Sequence, residues 1–300
     1  MKIIENSFEN NKSNLKLLVL SDLHIIDKKS LKKINIIKKY LNKNKYDVIC
    51  LVGDIIDSTN IFQNNEIYNK LLEFIKYLGS NSKTYIVYGS HDISLRDYKN
   101  NIWIEDYKTF KHKFIDIVSK YENVKILENE ILDINKFYSI SGYNPSFKYA
   151  YSKDSKNNLL QEGDFSYLKK LDKNKTNIFL CHYPNAVIEL SNKNILNNID
   201  VSISGHNHNG MVQIKIFPLE KLLNIFKQNN RGIITPTKSF KLKETSNLRG
   251  NIKLKNKNIL IINPSVTSLA KCAGILHNFD CLFYVGGTKI DFNDLKALDK

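Results

Sequence analysis

Two histidines stand two residues apart in segment 204–210, Ser-Gly-His-Asn-His-Asn-Gly, directly after the largely apolar run 199–203. In extended backbone, alternate side chains point to the same side, so His206 and His208 can present two imidazoles to one point. The flanking glycines permit a sharp turn. Because imidazole is the commonest side-chain ligand for metals, this spacing indicates a metal site. Paired histidines on loops are also common as solvent-exposed polar residues, and the rest of the chain decides between the two interpretations.

The same order of an apolar run followed by a candidate metal ligand occurs at four earlier places in the chain. These candidates are Asp22 with His24, Asp54, the run Ser90-His91-Asp92, and His182. In open α/β sheets, functional groups collect at the carboxyl ends of strands, so five segments distant in sequence can converge on one site. Five of the seven histidines occupy these positions, while His112 and His277 do not and receive no role.

The chemistry of the candidates favours a particular class of metal. Carboxylate oxygens and imidazole nitrogens, without cysteine, favour Mn, Fe, Zn, Co or Ni over a thiolate-bound metal. The candidates exceed the four ligands of a tetrahedral ion, so we expect two divalent metal ions that share a carboxylate, with Mn or Fe favoured. Asp54 is central in the order of the segments and is the natural bridge. Two ions about 3.5–4 Å apart form a clamp for displacement at phosphorus.

The elements that must position these residues follow from the apolar patterns. Helical spacing predicts helices at 31–41, with Ser30 as N-cap, and at 66–78, closing near Gly79. A mostly helical stretch is predicted at 102–121, antiparallel segments at 124–140, a loop over the site at 143–163 and a short helix at 164–171. Strands are predicted at 15–20, 48–52, 84–88, 176–180, 199–203, 252–254, 259–262 and 282–285. Alternation of strand and helix indicates an α/β fold with parallel strands.

No Pro/Gly/Ser-rich linker divides the chain, so residues 1–300 are interpreted as one domain. Residues 1–14 form a polar N-terminal extension in this interpretation, and residues 211–250 a possible flap or insert. The extension lacks the apolar segment of a signal peptide, and no apolar run approaches the roughly 18 residues of a membrane span. Cys50 and Cys181 lie in apolar runs and no Cys-x-x-Cys occurs, which fits a reducing compartment. We therefore expect a soluble cytoplasmic protein.

The five segments resemble the signature of the calcineurin-like metallophosphoesterases, in the same order, over residues 15 to about 212. The resemblance implies an α/β four-layer α-β-β-α sandwich with two mixed β-sheets. It also implies an enzyme: a dinuclear metal-dependent phosphoesterase that hydrolyses a phosphomonoester, phosphodiester or pyrophosphate bond by attack of metal-bound hydroxide.

Roles for individual residues come with this resemblance. Asp22, His24 and His208 would hold one ion, and His182 with His206 would hold the other. Asp54 would bridge the two. His91 would face the phosphate and either protonate the leaving oxygen or stabilise the transition state. Asp92 would orient His91 through its ring N–H.

Ser90 departs from the family pattern, whose usual form is Gly-Asn-His followed by Asp or Glu, with the Asn amide oxygen on the second metal. A hydroxyl is a poorer donor and reaches less far. Three consequences are open: Ser90 binds the ion directly or through a water and catalysis persists, the second site is weak, or the protein has a non-catalytic role. Since every other ligand is present, retained catalysis is favoured.

The net charge of +15 leaves a nuclease on the same fold as an alternative, and Ser90 leaves a non-catalytic metal-binding or scaffold protein as another. The lysines are scattered and no clear nucleic-acid motif occurs, so the charge is interpreted mainly as compositional.

Segment 219–227 has the pattern of a short amphipathic helix, which either packs on the sandwich or touches a lipid surface. Its surroundings resemble a bacterial phosphohydrolase subgroup, with membrane-anchored members, linked to phospholipid or nucleotide-sugar-lipid substrates. We therefore expect a phosphorylated small-molecule or lipid-linked substrate, with peripheral membrane contact as a further possibility. The run Asn263-Pro264-Ser265 follows a strand and could form a loop near the site.

Overall fold

A computed structural model describes residues 2–10, 13–151, 163–206, 250–254, 259–263 and 286–294. The predictions that lie outside these residues concern His208, the flap at 211–249, the strand at 282–285, Pro264-Ser265 and residues 152–162 of the long loop.

The first sheet has six strands within the described residues, in the order β1-β14-β2-β3-β4-β7. They are β1 (Lys2–Asn10), β2 (Leu15–Leu20), β3 (Val48–Val52), β4 (Lys83–Val87), β7 (Val124–Ile126) and β14 (Gly286–Asp294). Strands β2, β3, β4 and β7 run parallel, whereas β14 is antiparallel to β2, so the sheet is mixed. The polar extension at residues 1–14 includes an edge strand, because β1 pairs with β14 along its whole length.

The second sheet also has six strands in the described part of the chain, in the order β12-β13-β11-β10-β9-β8. They are β8 (Ile131–Asp133), β9 (Tyr138–Tyr143), β10 (Thr176–Cys181), β11 (Val201–Ser204), β12 (Gly250–Lys253) and β13 (Ile259–Ile262). The four central strands are parallel and the two edge strands are antiparallel to their neighbours.

Helices cover the outer face of each sheet. On the first sheet lie α1 (Leu31–Leu41), α2 (Asn65–Asn81) and α3, which consists of the consecutive segments Tyr107–Phe110, Lys111–Ile115 and Asp116–Val118. On the second sheet lies α5 (Pro184–Asn192). Three short elements complete the described structure: a helical turn at Thr59–Gln63, α4 (Phe147–Tyr151) and a turn at Ser166–Lys170.

Successive side chains of a strand pack alternately between the two sheets and against the outer helices. Leu17 and Val19 pack into the core between the sheets, while Leu18 and Leu20 pack against the helices of the first sheet. In the second sheet, Leu180 points to the core between the sheets, and its neighbour Phe179 packs toward α5. The predicted four-layer α-β-β-α sandwich is therefore confirmed.

Helix α1 has the predicted bounds with Ser30 at its N-cap, whereas helix α2 extends beyond its predicted end. The Ser30 side chain makes no capping hydrogen bond to α1, because its hydroxyl accepts hydrogen bonds from the Ile26 and Asp27 N–H groups of the preceding turn. The Asp27 carboxylate in turn accepts from the Ser30 N–H at 2.7 Å. Helix α2 continues past Gly79, where a Cβ would lie 2.6 Å from the carbonyl oxygen of Glu122. Glycine therefore serves close packing at that position and does not end the helix.

The stretch 102–121 was predicted to be mostly helical, but it begins as a strand. β6 (Ile102–Glu105) pairs antiparallel with β5 (Ser94–Asp97) in a small hairpin. Ile102 and Ile104 are exposed while Trp103 between them is half-buried, which is the period of two typical of a strand. The hairpin matters because it carries Trp103 to the site described next. Among the described residues, no helix combines the length and apolar character needed to cross a bilayer.

Candidate metal centre

The carboxyl ends of the parallel strands of both sheets meet at one edge of the sandwich, and the Asp54 carboxylate lies at their junction. Asp54 follows β3 of the first sheet, and its Oδ2 lies 3.7 Å from His24 Nε2, after β2. The same oxygen lies 3.0 Å from His182 Nε2, after β10 of the second sheet. One carboxylate oxygen thus lies between imidazoles from the two sheets.

Two groups of possible metal ligands share Asp54. The first consists of Asp22, His24 and Asp54, and the second of Asp54, His182 and His206, with the ligand atoms of each group within 4.8 Å of one another. These are the partitions that the family resemblance implies for two ions. His206 also fixes Asp22, because its backbone N–H donates to Asp22 Oδ1 at 3.0 Å. His208, the remaining predicted ligand, lies outside the described residues.

The buried imidazole of His182 tests whether these residues fit a metal. Its Nδ1 donates to the carbonyl oxygen of Val52 at 2.8 Å, which leaves Nε2 as the lone-pair nitrogen. Nε2 is fully buried and has no hydrogen-bond partner with sound geometry in the described structure, although the Asp54 oxygen is 3.0 Å away. A carboxylate oxygen and an imidazole nitrogen at this separation suit a shared cation, either a proton or a metal ion. The residues therefore fit divalent metal binding.

The backbone at the centre adopts an uncommon conformation. Four of the predicted ligands have positive φ angles: Asp22 at 55°, His24 at 43°, Asp54 at 51° and His206 at 69°. Residues other than glycine avoid this region, at a cost of about 1–2 kcal/mol each. The strand ends hold the conformation by hydrogen bonds, including Asp22 N–H to Gly53 O at 2.9 Å and His24 N–H to Asp54 O at 3.0 Å. Strain concentrated on four ligands indicates a functional site.

Two glycines let the segments approach closely. A Cβ on Gly53, whose φ is 76°, would collide with the ring of His182. A Cβ on Gly89 would collide with the Asp54 carboxylate and the His182 ring. Glycine is therefore required at both positions for the two sheets to bring their ligands together.

Asp57 was not assigned a role from the sequence, although it belongs to the segment that carries Asp54. Its carboxylate Oδ1 lies 3.4 Å from His24 Nδ1 and 3.9 Å from His91 Nδ1. Its backbone oxygen accepts a 2.7 Å hydrogen bond from His91 Nδ1, because a carbonyl can only accept. Asp57 thus orients one predicted ligand and the predicted substrate-facing histidine. The signal that could have found it is the second acidic residue three positions after Asp54.

The predicted role of Asp92 as the residue that orients His91 needs correction. Asp92 is fully buried, and its Oδ1 accepts from the N–H groups of Ile55 and Ile56 at 2.8 and 3.0 Å, while Oδ2 accepts from Gly89 N–H at 2.8 Å. Both oxygens are therefore committed to backbone, and Asp57 holds the ring of His91 instead. Asp92 joins the loop after β3 to the turn after β4.

His91 lies against residues of the two ligand groups, and its role toward the substrate stays a prediction. Its ring contacts the His24 ring edge-on at 4.5 Å, and its backbone N–H donates to Asp54 Oδ1 at 3.0 Å. On the other side, the ring of Trp103 from the β5–β6 hairpin lies 4.7 Å away. Ser90, just before it, is buried at 5% exposure, and its carbonyl oxygen accepts from the Ser94 hydroxyl. Whether Ser90 binds a metal stays a prediction.

The Asp54 carboxylate and the neighbouring imidazoles shift one another's pKa values. Burial alone would raise the pKa of Asp54, but the neighbouring imidazoles, His182 first, hold that pKa well below its usual range. Burial would lower the pKa of His182, yet the Asp54 carboxylate outweighs it and raises the pKa to about 9. For His91, burial dominates and lowers the pKa.

Buried hydrogen bonds of Asn263 stabilise the loop that carries Asp22. Asn263, after β13, is fully buried and donates through Nδ2 to the Ser21 hydroxyl at 2.8 Å. Its Oδ1 accepts from the hydroxyl of Thr288 at 2.8 Å, and its backbone N–H donates to Ser204 O. The expected position near the site is thus observed for Asn263, which supports the residue before Asp22.

Comparison with known proteins agrees with this geometry. The sequence profile of the calcineurin-like phosphoesterases matches residues 15–210. An uncharacterized metallophosphoesterase of Campylobacter jejuni is 27% identical over 229 residues, covering 75% of this chain and 51% of the relative. One from Helicobacter pylori is 26% identical, covering 73% of this chain and 50% of the relative. The chain thus spans about half the length of these relatives.

Among solved structures, a dimetal phosphatase from Danio rerio is similar with a TM-score of 0.44 and 9% sequence identity, over 84% of this chain and 87% of that chain. The profile match covers well over half of the chain, from the first predicted ligand segment to the last. This chain belongs to the calcineurin-like phosphoesterase family.

Proposed function

We propose that this chain hydrolyses a phosphoester or pyrophosphate bond with the help of two divalent metal ions, with Mn or Fe favoured. The observation that carries the proposal is the position of Asp54 Oδ2, between His24 Nε2 and His182 Nε2. A carboxylate common to two ligand groups is what a two-ion site requires. When bound, the ions would activate water and neutralise the charge that develops on the phosphoryl group.

The chain's own residues divide the remaining work. Asp22 and His24, with His208, would hold one ion, and His182 with His206 would hold the other, while Asp54 would serve both. Ser90, where relatives of this family have Asn, is the candidate for one further contact at the second ion. These assignments follow the family signature and are supported by the two ligand groups that share Asp54.

His91 is the residue proposed to act on the substrate. Because its Nδ1 donates to Asp57 O, its Nε2 is the atom left for a substrate oxygen. Burial lowers its pKa, so the imidazole is neutral near pH 7 in the absence of substrate. The negative charge of an approaching phosphate raises the pKa again, which lets His91 hold a proton and pass it to the leaving oxygen.

For the substrate, we propose a phosphorylated small molecule or a lipid-linked phosphate. The β5–β6 hairpin that places Trp103 against His91 also exposes Tyr98, Ile102 and Ile104, at 65%, 49% and 41%. Ile102 and Ile104 alternate with Trp103 along β6, so they lie on the opposite face of the hairpin, where exposed apolar side chains favour contact with an apolar portion of a substrate. The nuclease alternative rests on the net charge of +15 alone.

A substrate panel in Mn²⁺ tests the proposal. Aryl phosphate monoesters, aryl phosphate diesters and a lipid pyrophosphate are compared, each with and without a chelator. We expect chelator-sensitive hydrolysis of at least one class, and faster turnover of the lipid-linked substrate than of its water-soluble counterpart. Metal binding without hydrolysis of any class would instead favour the non-catalytic alternative.

A further inference from the structure

Tyr183 reaches the centre from the second sheet, and the family signature gives it no role. It follows His182 directly and begins the turn into α5. Its ring lies 4.9 Å from the His182 ring and 4.8 Å from the His206 ring. It is 4% exposed. Tyr183 is thus packed against both histidines of the second ligand group.

Tyr151, the last residue of α4, reaches the centre next to Trp103. Its ring stacks on Trp103 with 5.8 Å between centroids, and the Trp103 ring contacts His91 at 4.7 Å. Tyr183 thus packs on the second ligand group, while Tyr151 is linked to His91 through Trp103.

The hydroxyl oxygens of Tyr151 and Tyr183 are both buried and lack a hydrogen-bond partner within the described part of the chain. A buried polar group without a partner costs on the order of 1–3 kcal/mol, so two at one place point to a ligand that supplies the acceptor. A phenol has an ordinary pKa of about 10 and is a hydrogen-bond donor at neutral pH.

Ser90 connects the two phenols. Its side chain lies close to both hydroxyls, and the Ser94 side chain lies close to that of Tyr151, but none of these contacts has the geometry of a hydrogen bond. An asparagine at this position would offer an amide oxygen, which can only accept or bind a cation. Ser90, Tyr151 and Tyr183 each carry an O–H group that can donate to an oxygen anion, and the Ser90 oxygen keeps lone pairs for a cation.

We propose that Ser90, Tyr151 and Tyr183 form a hydroxyl pocket that binds a phosphoryl oxygen of the substrate beside the second ligand group. This deepens the proposed function, on which it rests, by assigning phosphate binding to residues outside the family signature. Hydrogen bonds to a charged phosphate oxygen are stronger than those between neutral groups, which makes the phenols measurable contributors to phosphate affinity.

The test uses Tyr183→Phe and Tyr151→Phe, each of which removes only the hydroxyl. Tyr167→Phe is the control, since it removes a phenol that donates to Gly142 O at 2.9 Å away from the centre. Calorimetry measures the Kd of inorganic phosphate for the Mn²⁺-loaded proteins, and elemental analysis measures bound Mn²⁺. We expect phosphate affinity to fall roughly tenfold in each test variant, equivalent to about 1.4 kcal/mol, with Mn²⁺ content unchanged and the control like wild type.

Phosphate affinity within twofold of wild type in both variants would overturn the hydroxyl pocket. Loss of Mn²⁺ with unchanged phosphate affinity of the loaded sites would also overturn it, because the phenols would then serve the metal. If either of these results is found and hydrolysis remains at the wild-type rate, the hydroxyl pocket is rejected and the proposed function is retained. Weakened phosphate binding in the variants of a protein that hydrolyses nothing supports the pocket and rejects the function.

Discussion

The Nδ1 atom of His91 donates a 2.7 Å hydrogen bond to the backbone carbonyl oxygen of Asp57. The carboxylate of the same residue lies 3.4 Å from His24 Nδ1. One residue therefore fixes the ring that we expect to face the substrate and supports a ring that we expect to bind metal. A carboxylate beside the second nitrogen of a histidine ligand raises its basicity and sets its orientation.

Asp57→Asn separates these two functions, because the substitution keeps the backbone carbonyl and removes the carboxylate charge. We expect the affinity for Mn²⁺ to fall by roughly 10–100-fold, with turnover at saturating Mn²⁺ less affected. Calorimetric titration of the metal-free protein measures the first and steady-state kinetics the second. Asp47→Asn, at the opposite end of β3, is the control. Unchanged Mn²⁺ affinity would show that the Asp57 carboxylate does not support His24.

His91→Gln tests the substrate-facing role. We expect turnover to fall by about 100-fold or more, the usual contribution of a general acid, while metal content stays at the wild-type level. His112→Gln is a matched control, since His112 is exposed and pairs only with Asp116 among the described residues. If His91→Gln instead loses metal, His91 belongs among the ligands.

Stability of the metal-free protein should depend on pH through His182. Burial lowers its pKa, but Asp54 raises the pKa to about 9, above the ordinary 6.5. When the pKa of a group is higher in the folded than in the unfolded protein, the group contributes stability that is fully present below pH 6.5 and is lost as the pH rises through about 9. We expect the free energy of unfolding, from urea titrations, to fall by on the order of a few kcal/mol between these pH values.

His182→Gln should remove most of this decrease. Mn²⁺ should reverse the trend, because metal binding requires a neutral imidazole and is therefore favoured at the higher pH. A metal-free wild type that is equally stable at pH 6.5 and 9 would contradict the coupling of His182 to Asp54.

Asp92→Ala distinguishes a role in the loops from a role at His91. The substitution leaves the buried N–H groups of Gly89, Ile55 and Ile56 without their acceptor, so we expect the free energy of unfolding to fall by at least about 2 kcal/mol. Asp97→Ala is the control, because Asp97 accepts comparable bonds in the surface turn of the hairpin. A variant of unchanged stability with slow turnover would restore the orienting role.

Much of the site could be predicted because its residues follow apolar runs that end at one edge of the sandwich. The strands that carry Asp22, Asp54 and His182 were predicted within about one residue. Asp57 could not be separated from a surface carboxylate, since only the turn after β3 brings it to His24 and His91. The hairpin was missed because the spacing of its apolar residues also fits a helix, and only pairing with β5 decides the outcome.

The role of Asp92 was predicted wrongly for a related reason. The resemblance to the family assigned Asp92 to His91, but the turn after β4 decides which groups its carboxylate meets, and there it accepts from backbone N–H groups while Asp57 holds His91. Tyr151 and Tyr183 carried no signal in the sequence, because tyrosines are abundant in this chain and their convergence on Ser90 depends on tertiary structure.

The most direct test of the two-ion centre compares the number of Mn²⁺ ions bound by Asp54→Asn and by wild type, measured by calorimetric titration and elemental analysis. Chelator-sensitive hydrolysis of an aryl phosphate ester or diester is measured for both proteins in parallel. We predict two Mn²⁺ ions per wild-type chain, and fewer than two with turnover abolished in the variant, because the shared carboxylate serves both ligand groups. Two ions bound and wild-type turnover in Asp54→Asn would contradict the account.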